Sequence, residues 1–552
     1  MQSRMPIQVY TTMKIEKQSI FIGIAFFLIV IATKMSTLSL GYYWDEIEYI
    51  IPSSINTMHN NFNPFIGEQI VHPQLLYIII ALGFSIFGIS AATSHVIIAL
   101  FAFLAVFFTY LLGKEMYNKH IGIIAAILMF FTPLFFSQSG LAYHEMPLTA
   151  LSIMAMYFFY KKNYLWYLLS GILLVLMKET GVLIILSIAV YFCIKNNLMK
   201  RPAKETINHL SMIFIPAIIL VLWMAINYFL YGWFFSPILT QANEFQTPFI
   251  LTSALKLLKI IKMVFIDDYH FILTGLAFLS LISFRKISRK YVIVKTVLAG
   301  FLAIAIFIML GEKELILNFI NSIHRFDNLQ AYINSLKMYR FIIAPLVLIL
   351  LLTWKQIIPW IKEEKNYYLL IPIILNLLFF STSIFTKRYF LHLYPLIFLI
   401  SISSIYSLLK NKTYILSAIM LILFITSYHK VEYYHGELDT NLEYVDFVRV
   451  HMRAASYLEE NHPNDKILAP YKYFTKFTLR EPYLGYVDTE LKVITARDFS
   501  TLNPGDFDIF IKDFSISSQD EEYLKERFEL SLIKEFNRGG KIVRIYRRGT
   551  ER

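Results

Sequence analysis

The first 428 residues are a succession of apolar runs, most of 14 to 23 residues, separated by short polar loops. This pattern constrains the chain more than any motif. A run of that length buries itself in lipid as a helix, because the hydrocarbon offers backbone N–H and C=O groups no partner. Over all 552 residues, 57% are apolar and 16% aromatic. Only 16% are charged, against about 25% in soluble domains. A soluble enzyme, a disordered chain and a fibre are excluded. The expected fold is mainly α: a polytopic transmembrane helical bundle. The single cysteine, Cys193, excludes a disulfide framework and any cysteine-based zinc or iron–sulfur centre.

The net charge of +12 is unevenly spread. Residues 429–552 hold 19 Lys and Arg against 22 Asp and Glu, a net of −3. Residues 1–428 keep 32 basic and 17 acidic residues, a net of +15. Two bodies are expected: a membrane domain over 1–428 and a small soluble domain over 429–552.

The apolar runs predict about thirteen spans: 18–40, 91–112, 120–137, 147–160, 164–177, 181–194, 210–231, 270–285, 291–310, 338–354, 367–385, 389–409 and 413–428. An odd number puts the termini on opposite sides. With the N-terminus inside, the inner loops hold 20 basic residues and 5 acidic ones. That asymmetry is the positive-inside signature, so a multi-pass plasma-membrane protein with a cytoplasmic N-terminus and an extracytoplasmic tail is expected. The positive charge marks topology, not nucleic-acid binding. No cleavage site follows the first run, which reads as an uncleaved anchor. Run 73–88 fits parity only as a juxtamembrane helix at the outer interface. Segment 249–266 reads as an amphipathic outer-surface helix, with Lys256, Lys259 and Lys262 opposite Leu257, Leu258, Ile261 and Val264.

In the tail, 444–460 and 518–528 read as helices. ILAPY (467–471), LKVIT (491–495), FDIFI (507–511), LSLIKEF (530–536) and KIVRIYR (541–547) read as strands. The last two flank Asn537-Arg538-Gly539-Gly540, a hairpin turn signal. The tail has no glycine-rich phosphate loop and no metal-ligand spacing. The chain has no internal repeat, unlike many secondary transporters.

Charges near a membrane are costly and usually functional. Asp45 and Glu46 follow the first span among Tyr42, Tyr43, Trp44 and Tyr49. They are either solvated acids in an aromatic belt or a general base at a cavity mouth. Glu68 and His72 precede Pro73, and His144 and Glu145 sit in a short outer loop before Pro147. Lys178-Glu179 separates two short spans, either as a self-neutralising pair or as an anion contact. Lys387 and Arg388 lie on the side that should lack cations. Pooled, Asp45, Glu46 and Glu145, Lys178 and Arg388, and His72 and His144 make one outer-facing site of carboxylates, cations and histidines. Such a site fits transfer from a lipid phosphate. It also fits proton-coupled transport or a metal hydrolase.

The order of these motifs resembles the GT-C polyprenyl-phosphate-sugar glycosyltransferases, which include protein O-mannosyltransferases and lipid A aminoarabinose transferases. The resemblance rests on Asp45-Glu46 after the first span and His72-Pro73-Gln74-Leu75. It continues with Glu145-Met146-Pro147-Leu148, Leu176-Met177-Lys178-Glu179-Thr180-Gly181, and Arg388-Tyr389 before Pro395. It implies a membrane glycosyltransferase that takes a sugar from a polyprenyl-phosphate donor on the outer face, with inversion. The acceptor would be a protein hydroxyl, a glycan or a lipid. Asp45, Glu46 and Glu145 would be the catalytic acids; Lys178, Arg388, Tyr389 and His72 would lie at the donor phosphate. Gln74 replaces a proline and Glu145 an aspartate of the family pattern, which bears on the acceptor more than on the reaction. No ligand spacing demands a metal, and a divalent cation at the donor phosphate is left open. The rival classes are a transporter, a lipid-linked glycan flippase or polymerase, and an assembly subunit with a decayed site.

Overall fold

A computed structural model describes residues 16–63, 72–198, 203–234, 249–283, 358–429, 438–470 and 473–549. The expected spans 291–310 and 338–354, and Glu68, lie outside the described residues. Helices dominate the described chain up to Thr426. Among the described residues, four helical stretches, 17–34, 91–116, 179–197 and 387–426, are long and apolar enough to cross a membrane. Two bent pairs pass the same test together. The protein is therefore a membrane protein.

Prolines set several breaks. The expected span 120–137 divides into Lys119–Phe130 and Pro133–Gln138. Thr132 is extended, as the residue before a proline prefers. Run 210–231 bends by 45° at Phe214, just before Pro216. The helix Ala91–Met116 is largely buried and packs on helices 17–34, 75–87, 119–130, 145–160 and 394–409. At its C-terminal end, a Cβ on Gly113 would come within 2.7 Å of the Gly122 Cα. Those two glycines let helices 91–116 and 119–130 close on each other, the small-residue contact that membrane helices use.

The helix Leu75–Phe87 has 13 residues, about 20 Å at 1.5 Å per residue, too short for a hydrocarbon core of about 30 Å. It buries Leu76, Tyr77, Ile80 and Phe84 and exposes Leu82, Ile86 and Phe87. Helix Phe249–Phe265 meets the next helix at 90°. Its packed face centres on Ile260, Met263 and Val264. The lysines at 256, 259 and 262 are half-buried rather than projecting freely, because the helix packs on Glu364–Ser381.

After residue 438 the chain forms a five-stranded mixed sheet in the order β2-β1-β3-β5-β4. The strands are β1 (Ile467–Pro470), β2 (Val493–Ala496), β3 (Ile509–Lys512), β4 (Ser531–Arg538) and β5 (Lys541–Arg547). The first three are parallel; β5 runs antiparallel to β3 and β4. Gly539 and Gly540 both have positive φ, 55° and 76°, as a two-residue hairpin loop with matching twist requires. The helix Glu443–Asn461 packs on β4 and β5. It also covers the loops above the bundle: Tyr444 and Phe447 lie 5.9 and 5.6 Å from the Tyr43 ring. One continuous apolar core runs from Phe26 to Ile545. The loop 139–144 is fully buried for this reason.

Candidate active site

The site begins with the turn after the first helix. Trp44 is left-handed, with φ 45°, a costly conformation for a bulky residue. The π-helical turn Glu46–Ile50 follows. Glu46 pins this turn. Its carboxylate accepts from the Tyr43 N–H at 2.7 Å and the Ala142 N–H at 2.5 Å. It also lies 3.1 Å from His95 Nε2, whose Nδ1 is 2.9 Å from the Leu38 carbonyl. With no exposed surface and three partners, Glu46 ties the first loop to helix 91–116 and loop 139–144. This position fits a strut, whereas the sequence grouped Glu46 with the catalytic acids.

Asp45 points the other way. It is the most open acid of the cluster, 29% exposed, and is ion-paired to Arg388 Nη2. Arg388 Nη1 holds Asp439 at 2.7 Å. Its guanidinium lies 4.5 Å over the Tyr143 ring, and its Nε is 4.0 Å from Glu145. That Nε is buried without a hydrogen-bond acceptor among the described residues. Glu145, at the first position of helix Glu145–Tyr160, pairs with Lys178 at 2.8 Å. The Lys178 ammonium sits 4.1 Å over the Tyr389 ring.

The partners of Lys178 and Glu179 are crossed relative to the adjacent-pair reading. Lys178 takes Glu145, and Glu179 takes His72 Nδ1 at 2.9 Å. The His72 ring lies 4.8 Å from His144, which also touches Tyr77 at 5.4 Å. His144 Nε2 is buried without a partner among the described residues. Burial, together with the charges of His72 and Lys178, drives the His144 imidazole well below its usual range, so it is neutral at pH 7. Lys387, the other outer cation, is taken by Asp268 at 2.9 Å.

The structure thus converges Asp45, Glu145, Lys178, Arg388 and Tyr389, with His72 at the edge and Glu46 apart. Asp439 is a member the sequence did not single out. Its carbonyl accepts from Ser137 Oγ at 2.6 Å and Gln138 Nε2 at 3.0 Å. Burial raises its carboxyl above the ordinary value; Arg388 opposes the rise and Asp45 adds to it. Three acids, Asp45, Glu145 and Asp439, share two cations, Arg388 and Lys178. A phosphate that enters must take Arg388 from one of them, and Asp45 is the one nearest solvent. Among the described residues no three His, Cys, Asp or Glu side chains converge as a metal site. A hollow of about 490 Å³ against β2, lined in part by Lys466, Arg480 and Lys492, contains none of these residues.

Residues 71–226 match the dolichyl-phosphate-mannose-protein mannosyltransferase family. That segment carries His72, Glu145 and Lys178. No curated protein sequence matches the chain. Among solved structures, the fold is similar to ArnT from Cupriavidus metallidurans bound to undecaprenyl phosphate. The identity is 9%, the match covers 96% of this chain and 98% of that one, and the TM-score is 0.50. The archaeal oligosaccharyltransferase AglB from Archaeoglobus fulgidus, in complex with an inhibitory peptide and a dolichol-phosphate, aligns with 12% identity. That match covers 95% of this chain and 74% of that one, at a TM-score of 0.40, too low to add to the argument. The resemblance read from the motifs is met by the family match over residues 71–226 and by a fold similar to that of ArnT.

Proposed function

We propose that the protein is an integral-membrane glycosyltransferase that moves a sugar from a polyprenyl-phosphate donor to an acceptor on the outer face. The observation that carries this reading is Arg388, shared between Asp45 and Asp439 beside the Lys178–Glu145 pair. Two buried cations held in competition by carboxylates suit an anion that arrives and leaves within one cycle.

The donor phosphate draws Arg388 Nη2 from Asp45 and fills the vacant Nε. Asp45, relieved of its ion pair, becomes a stronger base and faces the acceptor. It takes the hydroxyl proton as the acceptor oxygen forms a bond to the anomeric carbon. The bond from that carbon to the phosphate oxygen breaks, and the electron pair leaves with the lipid phosphate. Attack from the face opposite the phosphate inverts the anomeric centre. Lys178 and Arg388 stabilise the charge that grows on the leaving group. Tyr389 fixes Lys178 through its ring. For a phosphate acceptor no base is needed, and Asp45 orients it.

The basic inner loops support a cytoplasmic N-terminus. In that orientation the cluster and the region from residue 429 face outward, with that region shaping acceptor access over the membrane domain 1–428. The test is purified protein in lipid nanodiscs with labelled polyprenyl-phosphate sugars and a panel of hydroxyl and lipid acceptors. Acceptor-dependent release of lipid monophosphate is expected. Translocation of lipid-linked glycan without such release defeats the reading.

A further inference from the structure

Asp439 lies just before the helix that covers the site, and three hydrogen bonds fix it. Its carbonyl is held by Ser137 and Gln138 at the start of the buried loop 139–144. Its carboxylate holds Arg388 Nη1. Of the two acids on Arg388, it is the more enclosed, 8% exposed against 29% for Asp45. An arriving anion displaces the acid that solvent reaches and leaves the enclosed one in place.

We infer that Asp439 is a positioning residue for donor binding: it anchors one end of the Arg388 guanidinium while the other end passes from Asp45 to the donor phosphate. The inference rests on the transferase reading and adds to it a residue from the C-terminal region. A guanidinium has five N–H donors in a rigid plane. Held at Nη1 by Asp439 and stacked over Tyr143, it keeps Nη2 and Nε directed at the gap between Asp45 and Glu145. Released from Asp439, it is free to turn and bind Asp45 through two parallel bonds. That tighter pair must then be broken by every incoming donor, so the defect falls on donor affinity and not on the saturated rate.

The test uses the full chain in detergent, with undecaprenyl monophosphate as the binding probe and melting temperature as the control for folding. Asp439→Ala is expected to weaken probe affinity and raise the donor KM on the order of tenfold, with kcat near wild type. Asp439→Asn keeps an acceptor for Nη1 and the backbone bonds. It is expected to lose less, about threefold, and it carries the test if the alanine variant does not fold. Probe affinity within error of wild type in folded Asp439→Asn and Asp439→Ala overturns the inference, as does a loss confined to kcat. If wild-type protein neither binds the probe nor releases lipid phosphate, the transferase reading itself has failed, a result distinct from either.

Discussion

Asp45 and Glu46 are consecutive residues, yet they enter regions built on opposite terms. Around Glu46 the donors match the acceptor: two backbone N–H groups and His95 meet one carboxylate with no exposed surface. Around Arg388 they do not match. Three carboxylates compete for two cations, and Arg388 Nε has no acceptor among the described residues. A balanced buried cluster holds the fold in one arrangement. An unbalanced one has somewhere to go when an anion arrives. The Glu46 region therefore sets where the first loop stands, and the Arg388 region is where the proposed chemistry is assigned.

The comparison breaks or sharpens first at Arg388. Arg388→Ala is expected to lower kcat/KM by about 10³ or more, measured as release of lipid phosphate from a labelled donor. Near wild-type turnover would remove the imbalance from the mechanism. Asp45→Asn comes next, with a loss of about 10²–10⁴ in transfer to a hydroxyl acceptor and donor-phosphate binding retained or tightened, because Arg388 loses one competitor. Undiminished transfer in folded protein would show that Asp45 is not the base. Glu46→Gln should do the reverse. The melting temperature falls, reflecting about 1–3 kcal/mol for donors left short of an acceptor, while the rate per folded molecule stays within a few-fold. A rate loss as large as that of Asp45→Asn, at unchanged stability, would erase the distinction between the two acids.

The smallest effect concerns His144, at the edge of the unbalanced region. Its folded pKa lies well below the ordinary 6.5, so the unfolded chain binds its proton first as pH falls. Stability from this group is therefore complete above pH 6.5 and declines as pH drops below it. The melting temperature of His144→Phe should vary less than wild type between pH 7.5 and 5.5; identical slopes would count against a buried neutral imidazole.

Most members of the site are legible because charges are rare in the first 428 residues. Asp45, Glu145, Lys178 and Arg388 each stand out against an apolar background, and a membrane makes such exceptions expensive. Asp439 had no such contrast: it is one of 22 acids among the 124 residues from 429 on. The tail strands were readable from short β-branched and aromatic runs and from Gly539-Gly540. The helix Tyr473–Thr478 between them was not, because its six residues are too few to show a period.

The sequence by itself determined that this chain is a helical membrane protein with a charged, strand-bearing tail. It could do so because lipid imposes a length and a polarity on each run independently of its neighbours. Only the tertiary structure decided the pairings. It separated Asp45 from Glu46 through the turn at Trp44, and it gave Lys178 to Glu145 and Glu179 to His72. It also brought Asp439 across to Arg388. Those choices depend on which side chains are within about 3 Å after packing, a relation between distant segments that no local pattern encodes.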